Sequence, residues 1–287
     1  MESVRDELAY DSYDGEDDDG MTEPLCPVVI LHGVFDHKGN WVDIAKEIAE
    51  KTVRKVYALD MRDHGDSPKT STMSHDSNVR DLENFLRKLK KPSVLVGHSL
   101  GGTAAIDLAF KQPNLVKELI LIDISPLKYP EKEDDYGVNV CDETKRMLLK
   151  LSTVNSQNED ISIIKEEFIK SIMSPSLNKI IWSNLDKHGE SWRCKVNLEP
   201  IKEMGKLKAM RKVYPLRGTF EGRCLLIHSD SSGFIVPRCD YEVLKTIFPK
   251  IKIVCLKNCS HWIHVDMPRE LTYYIVQHLN KNSVTAR

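Results

Sequence analysis

The stretch "SVLVGHSLGGTAA", residues 93–105, leaves the backbone few options. An apolar run too short for a helix ends at Gly97, and small residues at helical spacing follow almost at once. Glycines stand on both sides of Ser99, at 97, 101 and 102. A chain that passes from strand to helix this abruptly crowds its Cβ atoms together, and glycine removes them. The pattern predicts a strand, a sharp turn that lifts the Ser99 hydroxyl clear, and a helix. The helix N-terminus beneath that hydroxyl favours developing negative charge.

The rest of the chain fits such a unit. "PVVILHG", "VRKVYALD", "SVLVG" and "LVKELILIDIS" read as strands, and "WVDIAKEIAEK", "VRDLENFLRKL" and "TAAIDLAFK" as helices between them. Continuous apolar strands separated by amphipathic helices imply a mostly parallel sheet covered on both faces, an α/β architecture. The alternation stops near Tyr129 and resumes after Pro215 at "RCLLIHS", "DYEVLKTIF", "KIKIVCL" and "ELTYYIVQHL". The interval 129–215 is charged and helical in pattern. It is expected to form a helical cap inserted into a single domain over residues 25–287. An insert at a strand's carboxyl end lies over the crevice where open α/β sheets bind ligands.

Residues 1–24 differ. They are acidic, with Arg5 as the one base, and are expected to form a disordered arm, having little apolar surface to offset ordering. They show neither a secretory signal nor the Arg-rich character of a transit peptide. The 7 cysteines are scattered without a CxxC pair, so reduced thiols, a cytoplasmic location and no metal are expected. A net charge of −2 implies no general attraction to nucleic acid. No run is long and apolar enough for a transmembrane segment. Protein partners are not legible.

A serine hydroxyl needs a base, and the base needs orientation. His261, in the loop "KNCSHW" after the last strand, is best placed, with His264 as its rival. His98 sits inside the turn and points elsewhere; His32 and His64 read as turn residues. For the orienting carboxylate, Asp123 ends the strand after the one that carries Ser99, and Asp230 follows the first strand beyond the insert. Asp123 is preferred. Charge developing on a substrate oxygen needs backbone N–H donors. Leu100 supplies one, and Val34 or Phe35 in "LHGVF" the other. Asp60 and Arg62 are expected to pair and brace their turn. Cys259, near His261, reads as a core residue.

These residues resemble the α/β-hydrolase family. The similarity runs through "LHGVFDHKGNW", "VYALDMRDHGDSP", "VGHSLGG", "LILIDISP", "FPKIKIV" and "SHWIHVDMP", from about Pro27 to Leu279. Gly97-His98-Ser99-Leu100-Gly101 fits that family's nucleophile elbow, G-x-S-x-G. In many members the acid follows the strand after the cap. That slot falls here on Ser232, which cannot hold an imidazolium electrostatically. The group of esterases most similar to this chain implies Asp123 instead.

The resemblance implies a serine hydrolase that cleaves carboxyl esters through an acyl-enzyme on Ser99. Its substrate would be a small ester or lipid, such as an acylglycerol or lysophospholipid, with no metal or organic cofactor. Met147, Leu148, Leu151, Phe168, Ile172, Met173 and Trp182 are candidates for an acyl pocket. Two alternatives stay open. One is a carbon–carbon bond hydrolase or perhydrolase using the same three residues; the other is a binding protein with a vestigial site. A mitochondrial location is suggested by resemblance alone.

Overall fold

The computed structural model describes residues 7–15, 25–127, 166, 174–188, 191–204, 216–232 and 240–280. One seven-stranded sheet spans them, in the order β1-β3-β2-β4-β5-β8-β9. Its strands are β1 (Tyr10–Tyr13), β2 (Val28–Leu31), β3 (Val56–Leu59), β4 (Ser93–His98), β5 (Val116–Ile122), β8 (Arg223–Ser229) and β9 (Ile251–Leu256). β1 pairs antiparallel with β3 and the other pairings are parallel.

Strand parity sorts the core into two layers. Val28, Ile30, Val94, Val96, Ile120, Ile122, Leu225 and Ile227 point to one face. There they meet Ile44, Ala45 and Ile48 of α1 (Val42–Thr52), and Leu271 and Ile275 of the C-terminal helix Pro268–Asn280. Val29, Leu31, Leu95, Leu119, Leu121 and Leu226 point to the other. That face is covered by Leu82 and Leu86 of α2 (His75–Leu89), by Ala104, Ala105 and Leu108 of α3 (Leu100–Lys111), and by Leu244 of the helix Asp240–Ile247. Both faces being dry explains the unbroken apolar runs.

Strand order reverses between β2 and β4. From β2 the chain steps to β3 on one side; from β4 it steps to β5 on the other. A crevice at the carboxyl ends follows from that switch. The register makes those ends level: Leu31 lies opposite Gly97, His98 opposite Ile122, and Ile122 opposite Ile227.

Two expectations need correction. The acidic arm is not wholly disordered, because Tyr10–Tyr13 forms β1. Leu8 is buried, Tyr10 packs edge-on against Tyr57 and Phe85, and the Asp60 N–H donates to the Ala9 carbonyl at 2.8 Å. Glu7, Asp11 and Asp14 pair with Lys88, Lys38 and Lys55, so the acidity that argued for disorder is matched by cations of the domain. Residues 1–6 and 16–24 lie outside the described residues.

The insert is also not purely helical. It contains α4 (Pro175–Ser183), capped by the Ser174 side chain, then an antiparallel pair, β6 (Leu185–His188) with β7 (Ser191–Cys194), and a helix, Leu198–Met204. Met147, Leu148, Leu151, Phe168, Ile172 and Met173 lie outside the described residues. Trp182 is half-buried and packs against an apolar cluster formed by Leu177, Ile180 and Ile181 of α4 with Phe35, Leu100 and Trp262. No helix among the described residues is long and apolar enough to cross a membrane.

Candidate active site

Ser99 follows β4 directly and stands at the head of α3 with φ 48° and ψ −114°, a conformation that side chains avoid. Its backbone N–H donates to the Ile122 carbonyl at 3.3 Å, which ties the turn to β5. The flanking glycines are sterically required. A Cβ on Gly97 would lie 2.5 Å from the Gly102 Cα, and one on Gly101 would lie 2.5 Å from the Leu31 carbonyl oxygen. Both neighbours are backbone and cannot step aside.

One strand over, Asp123 follows β5, also at positive φ (50°) and fully buried. Its Oδ2 lies 2.6 Å from Nδ1 of His261, and its Oδ1 accepts from the Ser229 N–H at 3.0 Å. The carboxylate is thus held from both sides with one oxygen aimed at the imidazole. With Nδ1–H donating to Asp123, the other ring nitrogen of His261 carries the ring's lone pair. Asp230 is not brought to this histidine: its carboxylate accepts from the Asn258 N–H at 3.2 Å. The neighbouring serines are spent elsewhere. Ser229 and Ser231 both donate to the Cys259 carbonyl, at 2.5 and 2.6 Å, bracing the loop just before His261.

His98 sits behind His261, ring centroids 4.6 Å apart, with Nε2 2.9 Å from the His261 carbonyl oxygen. A carbonyl only accepts, so Nε2 carries the proton and Nδ1 is bare. Burial, helped by the neighbouring His261 and His264 rings, pulls His98 well below the usual histidine range and keeps it neutral.

His264 is committed to another network. It stacks on Trp41 at 4.4 Å, and its Nε2 lies 3.0 Å from Asp36 Oδ2, in ion-pair range though outside hydrogen-bond alignment. Burial alone would raise the Asp36 carboxyl, but the His264 ring beside it holds it well below the usual carboxylate range. Asp36 also accepts from Trp41 Nε1 (2.9 Å), the His37 N–H (2.8 Å) and Asn40 Nδ2 (2.6 Å). Asp36, His98 and His264 bring ligand-type atoms within 4.8 Å of one another. Both Asp36 oxygens are already satisfied by N–H donors, so the cluster is accounted for as packing.

The loop after β2 supplies the donor candidates. The Leu100 N–H opens α3 and has no intrahelical acceptor. Phe35 is removed from the expectation: its N–H donates to His64 Nε2 at 3.2 Å. His64 is fully buried, and burial keeps it neutral and able to accept. Val34 remains, and among the described residues its N–H has no acceptor.

Asp60 and Arg62 do not pair. Asp60 accepts from the N–H groups of Lys38 (2.7 Å) and Asp66 (2.8 Å), while Arg62 makes a bidentate contact with Asp81 at 2.6 and 2.7 Å. Burial pushes the Cys259 thiol up to about 11, so it stays protonated beside His261.

Three anchors of the insert were not foreseen. Asn184 donates to the Phe35 carbonyl, Asn40 to the Ser183 hydroxyl (2.9 Å), and Ser176 to Asp266, which also binds the N–H and hydroxyl of Ser260 (both 2.6 Å). The i, i+4, i+5 spacing of Asp36, Asn40 and Trp41 was a legible signal for the Asp36 cluster; Asn184 carried none.

A family model described as alpha/beta hydrolase fold matches residues 27–158. The sn-1-specific diacylglycerol lipase ABHD11 of Danio rerio is 30% identical over 274 residues, 95% of this chain and 82% of that protein. The chain belongs to the α/β-hydrolase family. The Mus musculus lipase of the same name is 28% identical over 264 residues, covering 92% of this chain and 82% of its own. Among solved structures, a marine microorganism esterase superposes with a TM-score of 0.79 at 25% identity, over 94% of this chain and 98% of its own. In this α/β-hydrolase the residues just after β8 bond locally: the Ser229 and Ser231 hydroxyls to the Cys259 carbonyl, and the Asp230 carboxylate to the Asn258 N–H.

Proposed function

We propose that this α/β-hydrolase is a serine esterase that cleaves carboxyl esters of lipid or medium-chain acyl type through an acyl-enzyme on Ser99. The observation that carries the reading is the 2.6 Å contact between Asp123 and His261 beside the elbow that presents Ser99. In this scheme His261 removes the Ser99 proton as Oγ bonds to the ester carbonyl carbon, and the carbonyl π electrons move to oxygen. Asp123 stabilises the imidazolium. The N–H groups of Leu100 and Val34 hold the oxyanion. The C–O bond then breaks, and the alcohol leaves with the proton from His261. Water activated by the same ring adds to the acyl carbon, and the acid is released as Ser99 regains its proton.

An apolar acyl group is supported by the walls around the turn. There Phe35, Leu100 and Trp262 pack in one apolar cluster with Leu177, Ile180 and Ile181 of the insert. The free thiols of Cys26, Cys194, Cys224, Cys255 and Cys259 support a reducing compartment, for which we propose the cytoplasm.

The test is labelling by a fluorophosphonate, wild type beside Ser99→Ala, followed by a series of acyl esters from acetyl to long-chain. Labelling of wild type alone, with turnover favouring medium or long chains, is expected. An unlabelled, folded wild type, or no turnover at any chain length, would overturn the proposal.

A further inference from the structure

We infer that Asn184, at the end of the cap helix α4, is a positioning residue for the oxyanion-binding loop, so that the donor pair is complete only with the cap seated. This rests on the reading above that the Val34 N–H is one of the two donors.

Phe35, the next residue, holds φ 64° without being glycine. Side chains resist that conformation, so it persists only where surroundings fix it. Two hydrogen bonds fix it here, one on each side of the Phe35 Cα. Its N–H donates to His64 of the core at 3.2 Å, and its carbonyl accepts from the Asn184 side chain. The amide assignment of Asn184 is unambiguous. Its Nδ2 faces two carbonyls, those of Phe35 and Ile180 (2.8 Å), and neither can donate.

Asn184 is itself locked in place. It is fully buried, its N–H closes α4 onto the Ile181 carbonyl at 3.1 Å, and its carbonyl accepts from the Lys195 N–H at 2.8 Å, beyond the β6–β7 pair. The contact continues along the loop: His37 Nε2 lies 2.9 Å from the Ser183 carbonyl. Moving α4 away would release the Phe35 carbonyl and let its φ relax, swinging the adjacent Val34 peptide. A donor displaced by about 1 Å stabilises an oxyanion far less.

The experiment compares full-length wild type, Asn184→Ala, Asn184→Asp and Ser99→Ala, scored per folded molecule with a chromogenic acyl ester and a trifluoromethyl ketone inhibitor. Asn184→Ala is expected to lower kcat roughly 10- to 100-fold with KM changed less than about threefold. Its inhibition constant should weaken in step, because the ketone mimics the oxyanion. Asn184→Asp preserves shape and guards against a variant that fails to fold. As a carboxylate it cannot donate to Phe35, and once protonated it can. Its activity relative to wild type should therefore rise as pH falls from 8 to 5.5. Folded Asn184 variants with wild-type kcat, a loss confined to KM, or a pH-independent deficit in Asn184→Asp would each overturn the inference. Turnover retained by Ser99→Ala would instead sink the reading on which it rests, whatever the Asn184 variants do.

Discussion

Asp123 and His261, 138 positions apart in the chain, meet through Oδ2 and Nδ1 at 2.6 Å, with the carboxylate fully buried. The geometry demands an acceptor at that oxygen. Asp123→Asn places a donor or a weak acceptor there and favours the wrong tautomer of the ring. Turnover is expected to fall by about 10³- to 10⁴-fold with the fold intact by circular dichroism. Asp230→Asn, which loses only a turn contact to Asn258, should stay within about threefold of wild type. The opposite ranking would move the acid to Asp230.

Asp36 tests the buried network behind the site. Its carboxylate meets three N–H donors and the His264 ring with no exposure to solvent. Asp36→Asn leaves an amide facing the N–H groups and removes the carboxylate charge beside the His264 ring. A loss of about 3–5 kcal/mol in urea unfolding is expected. A loss under about 1 kcal/mol would mean the network contributes little.

Gly101→Ala tests the elbow. The added methyl would meet the Leu31 carbonyl oxygen at 2.5 Å and carbon at 2.6 Å, within the neighbouring strand. Overpacking of this kind costs about 1–3 kcal/mol. Because the strain falls on the turn carrying Ser99, fluorophosphonate labelling should slow more than the stability loss alone explains. Unchanged labelling would show that the turn tolerates a Cβ there.

Stability should fall on mild acidification. Burial pulls His64 and His98 well below their ordinary range, and His37 and His278 are lowered by the same cause. Below about pH 6.5 the unfolded chain binds protons at these rings that the folded chain refuses. The unfolded state then carries more protons, so the free energy of unfolding decreases as pH drops, by up to about 1.4 kcal/mol per pH unit for each such ring. Urea midpoints at pH 7.5 and pH 5.5 check this, with the lower midpoint expected at pH 5.5. Equal midpoints would mean the rings are charged in the folded protein.

Legibility in the sequence followed the range of the interactions. The parallel strands could be read because burial on both faces leaves continuous apolar runs, as in Val28–Leu31. The elbow could be read because its constraint is local, a handful of residues bending on glycine. The β6–β7 pair could not, since Asp186-Lys187 shows no alternation of apolar and polar positions. The link from Asn184 to the Phe35 carbonyl crosses 149 positions, and no local pattern announces it. The bond from the Phe35 N–H to His64 likewise joins residues 29 positions apart, and the motif alone does not announce it. β1 was hidden by averaging: the surrounding acids masked four residues, Tyr10–Tyr13, that pair in register with Val56–Leu59.

That short strand has a consequence for anyone trimming the protein. With β1 in place, the sheet ends on four residues carrying Asp11 and flanked by an acidic segment, a border that a second molecule cannot easily extend. A chain started at Leu25 would leave β3 as the border, with Tyr57 and the unpaired backbone groups of Val56–Leu59 facing water. Such a border invites strand-to-strand association between copies. A segment that by composition looks expendable thus covers the hydrogen-bonding edge of β3.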